Sequence, residues 1–310
     1  VNGRRSFIGG VLSLTSCGVV GRVDRRHVQR AQRRGYRSMT VHAGADRVHA
    51  RVHPGPRFAA AARPLVFVHG FGGTALFQWE QQMELFSRFR RVVVPDLLWF
   101  GDSTSTDRDP TLGHQAAALH AVVERLGVEA VDLVGLSYGG FVCLEFARAF
   151  PGRVGDLVMV DSPGPAWSPA HHQAMLDRFG ARCAADLFVP SSPEDIRTLL
   201  ALAVSEPPGV PAFAARQAIA TYYDPHRAQL RRLLDELEAN MASLLAAGMP
   251  AVERGLVIWG EDDPVFDVSV ASTLATMMHA NLVVLPGARH LSSADAPVAF
   301  NCALLEFLVL

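Results

Sequence analysis

The sequence predicts an α/β fold: a mostly parallel central sheet with helices on both faces and a helical cap inserted late in the chain. Three observations carry that expectation. Short, continuous apolar runs such as Pro64-Leu65-Val66-Phe67-Val68-His69-Gly70 read as strands covered on both faces. These runs alternate with helix-length segments as far as Asp161 and resume at Gly255, which is the pattern of parallel crossovers. Between them, residues 163–250 hold helical segments but no convincing strand.

Composition sets the outer limits. The chain has 310 residues, 49% hydrophobic and 19% charged, a globular rather than a disordered composition. A formal net charge of -1 argues against a nucleic-acid partner. No apolar run reaches the ~18 to 20 residues of a membrane span. Cys17, Cys143, Cys183 and Cys302 show no zinc or redox spacing, and no metal or organic cofactor is expected.

Residues 1–17 place Arg4 and Arg5 before Phe7, a weakly apolar stretch from Ile8 to Leu14, and then Leu14-Thr15-Ser16-Cys17. This resembles a twin-arginine export signal followed by a bacterial lipoprotein cleavage box. It implies an exported chain, periplasmic or anchored to the bacterial envelope, with peripheral membrane association through a lipidated Cys17. The alternative is a basic terminus with a chance cysteine on a cytoplasmic protein. Residues 18–37 carry Arg22, Arg25, Arg26, Arg30, Arg33, Arg34 and Arg37 against Asp24 and read as a basic linker, a solvated helix or tether. Contact with anionic headgroups is the alternative.

Residues 38–162 read as the first part of the core. Met39–His42 and Arg47–Val52 alternate apolar and polar around Ala43-Gly44-Ala45-Asp46, an antiparallel hairpin at a sheet edge. The strand ending at Gly70 follows, then a helix near Ala75 to Ser87, a strand from Arg91 to Pro95, and a helix near Leu112 to Leu126. A strand opening at Val131, a helix through Phe141–Ala147 and the strand Asp156–Asp161 complete this half. In the cap, residues 163–250, Ser192 is a natural N-cap with Pro193 in the first turn and Glu194 and Asp195 at the positive end of the dipole. Residues 251–310 return to the core with strands at Gly255–Gly260 and Asn281–Pro286 and a helix from Val298 to Phe307.

Gly135-Leu136-Ser137-Tyr138-Gly139 lies where strand turns into helix. A turn that tight strains the central residue and excludes side chains beside it, a nucleophile elbow. It would raise the Ser137 hydroxyl above the sheet and leave the Tyr138 N–H at a helix N-terminus, able to donate to an oxyanion. A serine hydroxyl needs a base and an acid to orient that base. Asp263 and His290 each follow a predicted strand, and loops at the carboxyl ends of parallel strands converge on one crevice. Glu261, Asp262 and Asp267 compete with Asp263, and Asp161 is the reserve acid.

The order Ser, Asp, His and the stretch from about Arg63 to Leu310 resemble the α/β-hydrolase superfamily. That resemblance implies that His69-Gly70-Phe71-Gly72-Gly73 is the oxyanion loop, with the Phe71 N–H as second donor. Two departures stand out: Trp99 and Arg289 each occupy a place where glycine is usual. Pro190–Asp195 and Ile258–Ser269 look like the lipase and monoacylglycerol-lipase branch. Trp99, Phe100, Trp167, Tyr222 and Tyr223 are the candidates to line a substrate pocket. His69 is read as structural, and Asp96 and Asp102 as loop braces.

The expected activity is hydrolysis of a hydrophobic carboxylic ester, a small-molecule substrate, through an acyl-enzyme formed on Ser137. One alternative keeps the triad and cleaves a carbon–carbon bond of an aromatic ring-fission product. Another is a non-catalytic binding protein on the same fold. Dehalogenase and epoxide hydrolase chemistry is disfavoured, because those relatives carry aspartate where this chain has Ser137.

Overall fold

The computed structural model describes residues 18–107 and 110–309. Nine strands form one sheet: β1 (Arg37–Ala43), β2 (Asp46–His53), β3 (Leu65–Val68), β4 (Val92–Pro95), β5 (Thr104–Ser105), β6 (Val131–Leu136), β7 (Val154–Val160), β8 (Arg254–Gly260) and β9 (Asn281–Leu285). Their spatial order is β1-β2-β4-β3-β6-β7-β8-β9, and β5 pairs with β2. From β4 across to β9 every pairing is parallel, while β2 runs antiparallel to β1, β4 and β5. The predicted hairpin is this antiparallel edge, in register from Arg37 opposite Val52 to Ala43 opposite Asp46. The two-residue β5 has no apolar pattern to announce it.

The helices are α1 (Val19–Arg33), α2 (Ala75–Phe86), α3 (Leu112–Leu126), α4 (Tyr138–Ala149), α5 (Pro169–Phe179), α6 (Ala184–Phe188), α7 (Pro193–Ala203), α8 (Ala212–Tyr222), α9 (Arg227–Ala239), α10 (Met241–Ala247), α11 (Ser269–Met278), α12 (Ser292–Asp295) and α13 (Pro297–Val309). The sheet divides the core in two. Val66 and Val68 point into a cluster with Leu119 of α3, Phe146 of α4 and Leu274 of α11. Leu65 and Phe67 point the other way, to Trp79 and Phe86 of α2 and Phe300 of α13. The period of two along β3 therefore feeds both layers, which is why its sequence is apolar throughout. Six helices, α5 to α10, connect β7 to β8, and α7 begins with Ser192 accepting the Asp195 N–H as its composition predicts.

Strand order reverses at β3. The chain steps from β3 to β4 on one side and returns to β6 on the other, so a crevice opens beyond the carboxyl ends of β3 and β6.

Residues 18–37 are no tether. Val19–Arg33 is a helix docked on the body: His27 pairs with Glu80 at 2.6 Å, Arg30 reaches Glu80 at 3.1 Å, and Arg34 reaches Glu80 at 3.4 Å. On its other flank Asp24 accepts a 2.6 Å hydrogen bond from the Tyr222 hydroxyl, and the Val19 N–H donates to Gln217 at 2.9 Å. The arginine run conceals an apolar face, and its acidic partners lie about fifty residues away. Cys17 and the export motif fall outside the described residues.

Candidate active site

Ser137 joins β6 to α4 with φ 51° and ψ −120°, a conformation that costs a non-glycine residue on the order of 1–3 kcal/mol. The neighbouring glycines explain how the turn closes. A Cβ on Gly139 would lie 2.5 Å from the Val68 carbonyl oxygen, and one on Gly135 would lie 2.8 Å from the Cys143 sulfur. Backbone bonds hold the bend: the Ser137 N–H donates to the Val160 carbonyl at 2.9 Å and the Gly140 N–H to that of Ser137 at 2.9 Å. Tyr138 is the first residue of α4, so its N–H is one of the amides a helix leaves without an internal acceptor.

The three distant groups meet. His290 Nε2 lies 2.9 Å from Ser137 Oγ, and His290 Nδ1 lies 2.9 Å from Asp263 Oδ2. Asp263 is buried, and its other oxygen accepts the Val265 N–H at 2.8 Å and the Phe266 N–H at 3.1 Å. Those donors hold the carboxylate in place and aim Oδ2 at the imidazole. Glu261, Asp262 and Asp267 make no such contact with His290. Burial alone would depress the His290 pKa, but the charge and hydrogen bond of Asp263, with the charge of Asp161, outweigh it and hold the pKa above the ordinary imidazole value.

Asp161 follows β7 at φ 45° and is wholly enclosed. Its carboxylate accepts the Gly260 N–H at 2.7 Å and the Ser292 N–H at 3.1 Å, tying β7 to β8 and to the histidine loop. Burial and the negative charge of Asp263 push its pKa up. It supports the site without contacting the imidazole.

The loop after β3 is braced from two sides. Buried His69 accepts the Leu97 N–H on Nε2 at 2.9 Å, which leaves the Nδ1 proton to donate to the Gly70 carbonyl at 2.7 Å. Desolvation lowers its pKa, so the ring stays neutral in that tautomer. Gln78 of α2 accepts the Gly70 N–H at 2.8 Å and donates to the Gly72 carbonyl at 2.6 Å. Nothing in the sequence marks Gln78, since a glutamine on an amphipathic helix reads as solvated. Phe71 packs edge-on against Phe100 and Tyr138. Asp96 braces its loop by accepting the Ala75 and Asp102 N–H groups, whereas the Asp102 carboxylate is exposed.

A cavity of about 470 Å³ opens above Ser137. Trp167, Tyr222 and Tyr223 line it together with Phe71, Tyr138 and His290. Trp99 and Phe100 do not. Both are core side chains, Trp99 edge-on to His114 and Phe100 edge-on to His69. Trp99 has φ 68°, so the backbone there adopts the left-handed conformation that makes glycine usual at this point, and the indole packs into the core. Arg289, the second departure, donates to the Ala201 carbonyl in the last turn of α7. The next backbone amides follow it, His290 N–H to Leu202 and Leu291 N–H to the Ala203 carbonyl at 2.7 Å. The helical insertion thus holds the histidine loop directly. α1 contributes Val19, Val20 and Val23 to the wall, and His172 and Glu238 form a 3.0 Å pair inside it.

Comparison with known proteins agrees with this architecture. Residues 63–297 match the family described as the alpha/beta hydrolase fold. A stretch of 108 residues is 39% identical to the 2-hydroxy-6-oxo-2,4-heptadienoate hydrolase of Pseudomonas putida, covering 34% of this chain and 39% of that relative, well under half its length. Lipase 1 of Psychrobacter immobilis is 23% identical over 273 residues, covering 84% of this chain and 80% of the lipase. Among solved structures, a bacterial membrane phospholipase A superposes with a TM-score of 0.76 at 22% identity, over 96% of this chain and 93% of that one. The fold, the strand-order reversal and the match over residues 63–297 lead to one assignment: this chain belongs to the alpha/beta hydrolase family.

Proposed function

We propose that the chain is a serine hydrolase of hydrophobic carboxylic esters. The observation that carries the reading is the continuous chain of hydrogen bonds from Ser137 through His290 to Asp263. With its proton on Nδ1 facing Asp263, His290 presents an unprotonated Nε2 to the serine. Ser137 Oγ attacks the ester carbonyl carbon as its proton passes to Nε2. The carbonyl oxygen becomes an oxyanion held by the Phe71 and Tyr138 N–H groups. Collapse breaks the C–O bond, and the imidazolium gives its proton to the departing alcohol. Water, deprotonated by the same nitrogen, then releases the acid. No metal or cofactor enters this scheme.

The cavity lining supports an apolar acyl or alcohol group: Leu, Val, Phe, Met and Trp side chains dominate it. The similarity to lipases over most of the chain points the same way. The second reading, carbon–carbon hydrolysis of a ring-fission product, draws on the stretch that is 39% identical to the heptadienoate hydrolase. Such a substrate carries a carboxylate that needs a cationic partner. No arginine lines the described cavity, the chain has no lysine, and a carboxylate, Glu238, is already there. We therefore favour the neutral ester. Export to the envelope and lipidation of Cys17 belong to the same proposal, and mass analysis of the processed chain would test them.

The deciding experiment is a chain-length series of p-nitrophenyl esters run beside a vinylogous diketone on wild type and Ser137→Ala. Ester turnover that depends on acyl length and vanishes in the variant is expected. Turnover of the diketone with negligible ester hydrolysis would overturn the reading.

A further inference from the structure

Most polar side chains in the cavity wall already have protein partners. Gln78 is spent on Gly70 and Gly72, Tyr222 donates to Asp24, and His172 pairs with Glu238. The Tyr138 hydroxyl is sealed within the packing. Tyr223 differs: it is 6% exposed, it lines the cavity, and among the described residues no group hydrogen-bonds its hydroxyl. The Tyr223 hydroxyl therefore opens into the cavity and is free to donate to a group bound there.

Its position indicates which group that is. A Cβ built on Gly72 would lie 2.8 Å from the Tyr223 hydroxyl oxygen, so the phenol rests on the loop that carries the Phe71 N–H. At the other end of the same loop, a Cβ on Gly70 would lie 3.2 Å from the Ser137 Cβ. The three residues Gly70 to Gly72 therefore span the gap between the serine and the phenol. Gly72, at φ 91°, leaves the hydroxyl room that any side chain would take. Backbone bonds on both sides fix the tyrosine: its N–H donates to Ile219 at 3.0 Å, and its carbonyl accepts the His226 N–H at 3.2 Å.

We propose that the Tyr223 hydroxyl is a third donor to the substrate carbonyl oxygen, strengthening as that oxygen becomes an oxyanion. The proposal rests on the serine-hydrolase reading above. No proton is transferred: the O–H of Tyr223 stays intact and donates a hydrogen bond, while the proton of Ser137 goes to His290. Burial pushes the phenol pKa up to about 12, so the donor remains protonated wherever His290 can act as a base. The insertion would then share in catalysis, lending a catalytic residue as well as walls.

The test is Tyr223→Phe, which removes one unpaired oxygen and keeps the ring. Three readouts are needed: kcat, KM, and the inhibition constant of a trifluoromethyl ketone, which forms a hemiketal oxyanion on Ser137. We expect kcat to fall about 10- to 100-fold, at or below the ~10²–10³ lost with a primary oxyanion-hole donor, with KM within about twofold. The hemiketal inhibitor should weaken by the same factor as kcat, and the melting temperature should hold. A kcat within about twofold of wild type, or a change confined to KM, would overturn the proposal. Ester turnover by wild type that is lost in Ser137→Ala keeps the parent reading standing whichever way Tyr223→Phe falls. Absence of that turnover would sink the parent reading alone, since the same variant can be scored on the diketone.

Discussion

The central strands carry buried carboxylates at both ends, and the two ends treat them in opposite ways. At the amino ends, Asp132 of β6 is held by Arg63 at 2.6 Å and by Arg90, while Asp156 of β7 is held by Arg254 at 2.6 Å. At the carboxyl ends, Asp161 and Asp263 face no arginine among the described residues. Their partners are backbone N–H groups and a single imidazole. An arginine neutralises a carboxylate permanently, because it does not lose its proton in a protein. A histidine can take or release one near neutral pH, so the field of an unneutralised carboxylate acts on it. The amino end thus stabilises, and the carboxyl end keeps its charge available for proton transfer.

That contrast can be broken from either side. The largest effect belongs to the proposed reacting pair: Ser137→Ala or His290→Ala should reduce kcat by about 10⁶-fold, the scale of loss in a serine protease triad, with thermal melting little changed. Next comes Asp263→Asn, which keeps shape but offers the imidazole the wrong partner. A loss of about 10⁴ in kcat is expected, measured on the best ester of the chain-length series. At the other end of the same strands, Asp132→Ala leaves Arg63 and Arg90 facing each other without their shared anion. It should lower unfolding free energy by about 3 kcal/mol in denaturant titration, the low end for a buried pair because Arg63 keeps Glu253 at 3.0 Å, while leaving kcat per folded molecule within about twofold. Equal damage to kcat would mean that the two ends are not separable.

The smallest effect is electrostatic. The raised His290 pKa places the acid limb of kcat/KM above the ordinary imidazole value, because activity is lost as falling pH protonates the base. Asp161, whose own pKa is pushed up to about 8, carries part of its charge over the same pH range, and Asp161→Asn removes that contribution to the His290 shift. The limb should therefore move to lower pH, with activity better retained in acid and kcat at alkaline pH little altered. A limb that stays in place would show that Asp161 serves only to join the strands.

What the sequence made legible follows the same division. Gly135 and Gly139 are required by contacts that no side chain could survive, so the bend at Ser137 announces itself locally. Asp263 and His290 were readable because parallel strands deliver their following loops to one crevice. Effects that depend on distant partners stayed hidden. The arginines of residues 18–37 suggested a solvated helix or tether because Glu80 and Glu84 lie far along the chain. Trp99 suggested a pocket wall, but its left-handed backbone turns the indole into the core. Gln78 carried no signal at all, and the role of Arg289 in joining the histidine loop to α7 appears only once the insertion is folded over it.

The central claim is that His290, oriented by Asp263, activates Ser137. Mapping a fluorophosphonate adduct by mass spectrometry, with its rate of formation, tests it most directly. The account predicts one adduct per wild-type chain, on Ser137, formed orders of magnitude more slowly in His290→Ala. An adduct on another residue, or an unchanged rate without the imidazole, would contradict it.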